Sequence, residues 1–189
     1  IGDLALESGE VLPEVVIAYQ SWGRINATQD NVILINHALT GFPDVPGWWP
    51  SMVGPGLPFD TDKYFVVCPN VIGGCQGSTG PSSLAPDGKR WGSRFPAINI
   101  RDMVAAEVAF TNAMGIKKYK LAVGPSLGGM RALEWAIQHP DRVGAICTIG
   151  SSAVATGDQI GTASIQIRAI KTDPYFNNGD YYEQEKGPE

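Results

Sequence analysis

The segment Lys120–Arg131 reads KLAVGPSLGGMR, and within it Gly124-Pro125-Ser126-Leu127-Gly128 fits G-x-S-x-G. An apolar strand pattern runs up to it and a helical pattern runs on from it, the context this motif needs to present a nucleophile. A tight strand-to-helix turn holds the serine in a strained backbone conformation. Small residues on both sides remove the clash that such a turn creates. The Ser126 hydroxyl then stands at a helix N-terminus, where free N–H groups and the helix dipole favour negative charge. The chemistry this suits is attack of a serine oxygen on a carbonyl carbon. The competing reading is a Gly-rich turn in which Ser126 only caps the helix.

A second motif, His37-Ala38-Leu39-Thr40-Gly41, directly follows the strand pattern VILIN. Where a sheet presents a serine in this way, a loop after an early strand supplies one oxyanion N–H. The residue after the nucleophile supplies the other. The candidates are the backbone N–H groups of Leu39 and Leu127, and Thr40 in the same loop is a substrate-binding candidate. His37 is not expected to be the base, because the base follows the serine in this arrangement and His37 precedes Ser126 by 89 residues. It is expected to shape the loop. His139 lies thirteen residues after Ser126, roughly 15–20 Å along the same helix at the usual rise. It is expected to be a C-terminal residue whose charge suits the dipole. These are the two histidines of the chain, so neither completes a serine triad in the expected order.

Other candidates carry less. Gly73–Gly80 (GGCQGSTG) has the look of a phosphate-cradling loop but lacks the Lys-Ser/Thr of a P-loop and the helix after it. A shaped active-site wall is the better expectation. Trp48, Trp49 and Trp91 could line a pocket or pack in the core. Arg90 and Arg94 could meet an anionic group, and Arg94 is the second substrate-binding candidate, although surface Arg is the commoner outcome. Cys75 has no support as a nucleophile, and no metal spacing is present.

The elements that position these residues read as α/β. Strands are expected at Val15–Tyr19, Val32–Asn36, Tyr64–Cys68, Lys120–Val123 and Ala145–Ile149, several of them near-continuous apolar runs, as in parallel strands covered on both faces. Helices are expected at Ile100–Met114, with Met103, Val104, Ala106, Val108 and Phe110 largely on one side, and at Gly128–Gln138. A third is expected over about Gln159–Lys171. Strand and helix alternate as in a parallel sheet. The stretch Gly41–Gly56 is expected to be a long non-helical loop and Gly73–Pro96 a second one, lengths that usually serve function.

Composition sets the outer limits. The chain carries a net charge of −5, with 43% hydrophobic and 17% charged residues. That disfavours nucleic acid and anionic membranes as partners. No run is long and apolar enough to span a membrane, and no signal peptide is visible. The 23 Gly and 14 Pro make about one residue in five, an excess that means shaped turns. Cys68, Cys75 and Cys147 are expected to be reduced thiols in the cytoplasm. The chain begins at Ile1, not Met, so its start is expected to be processed or left out.

Taken together, HALTG (His37–Gly41), Gly54-Pro55-Gly56, NVIGGCQGSTGPSSL (Asn70–Leu84), WGSRFP (Trp91–Pro96), Ile100-Arg101-Asp102 and GPSLGGMRALEWAIQHPDRV (Gly124–Val143) are distinctive. So is the run from Asp173-Pro174 to Asn178-Gly179-Asp180-Tyr181-Tyr182. The chain resembles the homoserine O-acetyltransferase family of α/β-hydrolase-fold acyltransferases, and the likeness covers nearly all of it. The resemblance implies ping-pong acyl transfer: Ser126 takes an acetyl group from acetyl-CoA, Leu39 and Leu127 amides hold the oxyanion, and the hydroxyl of L-homoserine accepts the acetyl group. It implies no bound cofactor, with acetyl-CoA as co-substrate, a cytoplasmic role in methionine synthesis, and a homodimer formed through a helical lid. Residues 1–155 correspond to the N-terminal part of the hydrolase core and 156–189 to the start of the lid. The family's triad Asp and His lie downstream of anything in this chain, so 1–189 is expected to be a truncated, incomplete enzyme.

Alternatives stay open. The family usually has Gly where this chain has Pro125, and related enzymes with Pro there include serine O-acyltransferases. An esterase or thioesterase of the same fold would share the nucleophile and differ only in using water. A non-catalytic fragment lacking the triad acid and base is the reading from another class.

Overall fold

A computed structural model of the chain describes residues 1–188. In chain order they form β1 (Gly2–Ala5), β2 (Val11–Val15), β3 (Tyr19–Trp22), β4 (Val32–Ile35), α1 (Val45–Trp48), β5 (Val53–Gly54), β6 (Phe59–Asp60) and β7 (Phe65–Pro69). These are followed by α2 (Ile100–Ala113), β8 (Leu121–Pro125), α3 (Leu127–Gln138), β9 (Ile146–Ile149) and α4 (Gly157–Thr172). The main sheet has the order β3-β7-β4-β8-β9. Only β3 runs antiparallel; the other three pairings are parallel.

Every residue of β4 and β7 is buried, as parallel strands sandwiched between two layers require. Alternation along each strand divides the core. Val32, Leu34, Phe65 and Val67 pack with Val104 and Phe110 of α2 and Trp135 of α3. Ile33, Ile35, Val66 and Cys68 face the other way, against Val45, Phe59 and the half-buried Trp48 and Trp49. Those two tryptophans pack against this core while staying partly exposed.

α2 starts where Asn99 and Asp102 form a capping box: the Asn99 side chain accepts from Arg101 and Asp102 N–H groups, and Asp102 accepts from the Asn99 N–H. The second Asp102 oxygen accepts the Glu7 N–H at 2.8 Å, tying the N-terminal hairpin β1–β2 to this helix. The buried face of α2 differs from the expected stripe. Val104, Ala106 and Phe110 are inside, but so are Glu107 and Thr111.

Two further expectations need correction. The run Val15–Tyr19 is not a strand. β2 ends at Val15 and β3 begins at Tyr19, while Val16 and Ala18 donate their N–H groups to Thr79 Oγ1 and Ser78 Oγ. Side-chain hydroxyls replace a neighbouring strand as partners. Glu14, held at a positive φ of 49°, turns the chain just before. And Gly41–Gly56 contains a short helix, α1, with a proline in its first turn, where a Pro costs no hydrogen bond.

Among the described residues β9 lies at the sheet edge and pairs with β8 alone. α4 follows it and has no buried residue, leaving Ile160, Ile165, Ile167 and Ile170 exposed. Beyond α4 the chain returns to the turn at Gly92–Arg94, where Asp180 accepts from the Ser93 N–H and hydroxyl, each at 3.0 Å.

Candidate active site

β8 and β4 are neighbouring parallel strands in the register Ile35↔Val123. The two turns that follow them therefore leave the same edge of the sheet side by side. One carries Ser126 and the other Leu39.

Ser126 sits between β8 and α3 at φ 52°, ψ −121°. A non-glycine residue in such a region costs of order 1–3 kcal/mol. Its surroundings over-determine the conformation: Ser126 donates its N–H to the Ile149 carbonyl at 2.9 Å, and its own carbonyl accepts from Gly129 and Met130 N–H groups and from the Ser151 hydroxyl at 2.9, 3.1 and 2.6 Å. The flanking glycines are steric necessities. A Cβ on Gly124 would stand 2.4 Å from the Asn36 carbonyl oxygen, and one on Gly129 would stand 2.1 Å from Ser151 Oγ. The Ser126 side chain is exposed and makes no cap hydrogen bond. The helix-cap reading requires such a bond, so it does not describe this serine.

The Leu39 turn is built on His37, which is buried. His37 Nε2 accepts the Val71 N–H at 3.1 Å, so Nδ1 carries the proton and donates to the Ala38 carbonyl at 2.7 Å. The Gly41 N–H reaches that carbonyl too, at 2.9 Å. In a trans peptide the C=O and N–H point oppositely. With the Ala38 carbonyl drawn inward, the Leu39 N–H points outward, at a residue that is 66% exposed. Leu127 is the first residue of α3, whose N–H has no carbonyl one turn back to bind. Thr40 is exposed beside Leu39.

Burial, reinforced by the Arg131 charge, lowers the His37 pKa to about 4. A neutral ring with both nitrogens engaged cannot take a proton from Ser126. His139 ends α3, its ring 5.3 Å from that of Trp135. Burial and then Arg142 lower its pKa. Its ring packs on Trp135 at the C-terminal end of α3.

Beneath the two turns lies a polar network that sequence reasoning missed. Arg131 Nη1 donates to Glu107 Oε1 at 2.6 Å, Trp135 Nε1 donates to Glu107 Oε2 at 2.6 Å, and Arg131 Nη2 donates to the His37 carbonyl at 2.7 Å. All three side chains are buried. Burial pushes the Glu107 carboxyl up, against the pull of Arg131 and the hydrogen bonds. The one signal in the sequence is a lone Glu inside the apolar helical run VAAEVAF.

The remaining candidates are engaged elsewhere. Arg94 pairs with Asp87 at 2.8 Å and lies over the Trp91 ring; none of its hydrogen bonds goes to the Ser126 or Leu39 turns. Arg90 pairs with Glu183. In Gly73–Gly80 the Ser78 hydroxyl donates to the Asn70 carbonyl at 2.7 Å, and the Ser78 and Thr79 oxygens accept from Ala18 and Val16. That loop is an anchor for the chain between β2 and β3. Burial pushes the Cys68 thiol up to about 12, and Cys75 and Cys147 are exposed, free thiols. Among the described residues no group of three or more His, Cys, Asp or Glu is placed to hold a metal ion, and no helix is long and apolar enough to cross a membrane.

The profile of the α/β hydrolase fold family matches residues 31–189. The chain belongs to this family. Homoserine O-acetyltransferase of Mycobacterium ulcerans is 53% identical across 100% of this chain, which covers 52% of that protein. The chain thus spans about half the length of the relatives it matches. Among solved structures, esterase E22 superposes with a TM-score of 0.89 at 29% identity, over 96% of this chain and 54% of that one. Homoserine O-acetyltransferase from Bacillus anthracis superposes with a TM-score of 0.86 at 28% identity, over 97% and 54%.

The mostly parallel sheet and the serine turn between β8 and α3 are what an α/β-hydrolase fold uses to present a nucleophile. What the described residues hold is an exposed serine, two N–H groups at adjacent turns and the buried supports of both.

Proposed function

We propose that this chain is the nucleophile-bearing part of an acyltransferase that moves an acetyl group from acetyl-CoA to the hydroxyl of L-homoserine. The observation that carries the reading is Ser126, strained and uncapped at its strand-to-helix turn, in a chain alike along its whole length to homoserine O-acetyltransferases. Ser126 Oγ attacks the thioester carbonyl carbon while a base takes its proton. The tetrahedral oxyanion is met by the Leu39 and Leu127 N–H groups. The C–S bond then breaks, and the CoA thiol leaves with the proton. The homoserine hydroxyl attacks the acetyl-enzyme in turn, and Ser126 regains its proton as the ester departs.

The base is neither His37 nor His139 and lies outside residues 1–189. Thr40 is the exposed side chain beside the Leu39 amide and remains our substrate-binding candidate. The same reading places the protein in the cytoplasm on free metabolites and pairs two copies through the lid that begins near residue 156.

The likeness to esterase E22 favours a second reading, hydrolysis, in which water replaces homoserine. Acetyl-CoA consumption by the full-length polypeptide, measured with and without L-homoserine, separates the two. Transfer requires strong stimulation by homoserine with O-acetylhomoserine as product. Equal CoA release without it overturns the transferase reading.

A further inference from the structure

Arg131 has no exposed surface, and its partner Glu107 is almost as deeply buried. Stability is a poor reason for such a pair, because desolvation cancels much of the Coulombic gain and apolar residues of similar volume often do as well. Of the three Arg131 nitrogens Nε makes no hydrogen bond, and the second terminal one suggests the reason. Nη1 holds Glu107, itself held by Trp135 one turn further along α3, and this fixes the guanidinium plane. Nη2 is thereby aimed at the His37 carbonyl. That carbonyl belongs to the peptide immediately before the one that carries the Leu39 N–H. The next carbonyl, of Ala38, is held by the His37 ring and by the Gly41 N–H. Two successive peptides of the Leu39 turn are therefore pinned from below, the first of them by the helix that Ser126 begins.

We infer that Arg131 is a positioning residue: anchored on Glu107 and Trp135, it holds the His37–Ala38 peptide so that the Leu39 amide keeps a fixed place relative to Ser126. The inference rests on the acetyl-enzyme reading above and deepens it. Nucleophile and oxyanion donor become parts of one rigid unit, since α3 carries both Ser126 and the clamp. An ångström of misplacement in such a unit costs on the order of 10²-fold in rate, and loss of one oxyanion donor about 10²–10³-fold.

The test uses the full-length polypeptide and p-nitrophenyl acetate, an acetyl ester that needs neither CoA nor homoserine. The double variant E107L/R131M replaces the ion pair with apolar side chains of similar size. It is expected to fold with a lowered melting temperature, because the buried Trp135 N–H and His37 carbonyl lose their partners, so acylation is measured on the folded protein well below that temperature. Its burst-phase acylation rate should fall by about 30–100-fold, with the half-saturating ester concentration unchanged within about threefold. A purely structural role would lower the melting temperature and leave the rate of the folded fraction alone. A folded double variant with the wild-type acylation rate, or with its loss confined to half-saturation, overturns the inference.

Should the double variant not fold, R131K serves. Its single ammonium cannot hold Glu107 and the His37 carbonyl in the same geometry, so the same rate loss is expected, and a wild-type rate in folded R131K is equally fatal. A burst that survives Ser126→Ala with Arg131 intact removes the acetyl-enzyme reading itself and this inference with it, and so is distinguishable from failure of the clamp alone.

Discussion

Gly128 lies directly against the Asn36 carbonyl: a Cβ on it would stand 1.9 Å from that oxygen, with the His37 carbonyl oxygen 3.0 Å away. The start of α3 is thus in van der Waals contact with the backbone that leads into the Leu39 turn. Nothing in that contact is a flexible side chain that could swing aside. Gly128→Ala should force the two turns apart and lower acylation of the full-length protein by about 10²-fold or more. Gly161 in α4 is the contrast, since a Cβ there meets nothing within 4 Å. Gly161→Ala should leave acylation intact and stabilise by about 0.5–1 kcal/mol through helix propensity. Burst kinetics and denaturant unfolding read both, and a fully active Gly128→Ala protein would refute the contact's importance.

The strain at Ser126 predicts a divergence between stability and activity. Its φ of 52° is one that glycine adopts freely. Ser126→Gly and Ser126→Ala should both abolish the acetyl adduct seen by intact mass after exposure to acetyl-CoA. Of the two, Ser126→Gly should be the more stable by about 1 kcal/mol. An adduct persisting in either variant removes Ser126 as the acyl carrier.

Much of this arrangement is legible in the residues, and what is not has physical reasons. Gly124 and Gly128 around Ser126 announce the turn because only small residues fit it. VILI and FVVCP announce buried parallel strands because alternation is lost when both faces are covered. VVIAY misleads because apolar residues alone do not supply ladder partners: Ser78 and Thr79, about sixty residues away, provide them. α1 is hidden by its composition, VPGW, which reads as a loop. Glu107 stands out only as a lone Glu in an apolar run and Arg131 looks like an ordinary helix residue; the packing of α2 on α3 makes them a buried pair.

His37 should make stability depend on pH. Its folded pKa, about 4, lies below the 6.5 of the free ring. Between those values the unfolded chain binds more protons, so stability rises with pH across this window and is level above it. Acidification from pH 6.5 to 4 should cost on the order of 3 kcal/mol through this group. His37→Gln keeps an acceptor for the Val71 N–H but cannot titrate, and its unfolding free energy should lose that part of the slope. Denaturant titrations of both proteins across this range decide the matter. Identical slopes would mean that His37 is protonated as readily in the fold as outside it.

On the proposed acetyl transfer, the residue beside Ser126 bears on the choice of acceptor. Pro125 is the last residue of β8, in register with Ile149, whose carbonyl holds the Ser126 N–H. Its ring fixes φ and adds bulk next to Ser126, which narrows the space for an incoming hydroxyl and works against the longer of two amino-alcohol acceptors. Homoserine exceeds serine by one methylene, a difference worth about 1–3 kcal/mol, or 10–200-fold, in a fitted apolar pocket. The likeness to homoserine O-acetyltransferases along the whole chain outweighs the single proline. The full-length enzyme should therefore show kcat/KM for L-homoserine at least about tenfold above that for L-serine. Pro125→Gly, by removing the ring, should widen the ratio further toward homoserine. The comparison is best made well below the melting temperature, because glycine also loosens the unfolded chain by about 1 kcal/mol. A kcat/KM for serine tenfold above that for homoserine in the unaltered protein would reverse the assignment. A Pro125→Gly variant whose ratio shifts toward serine would show that the ring does not act by narrowing the site.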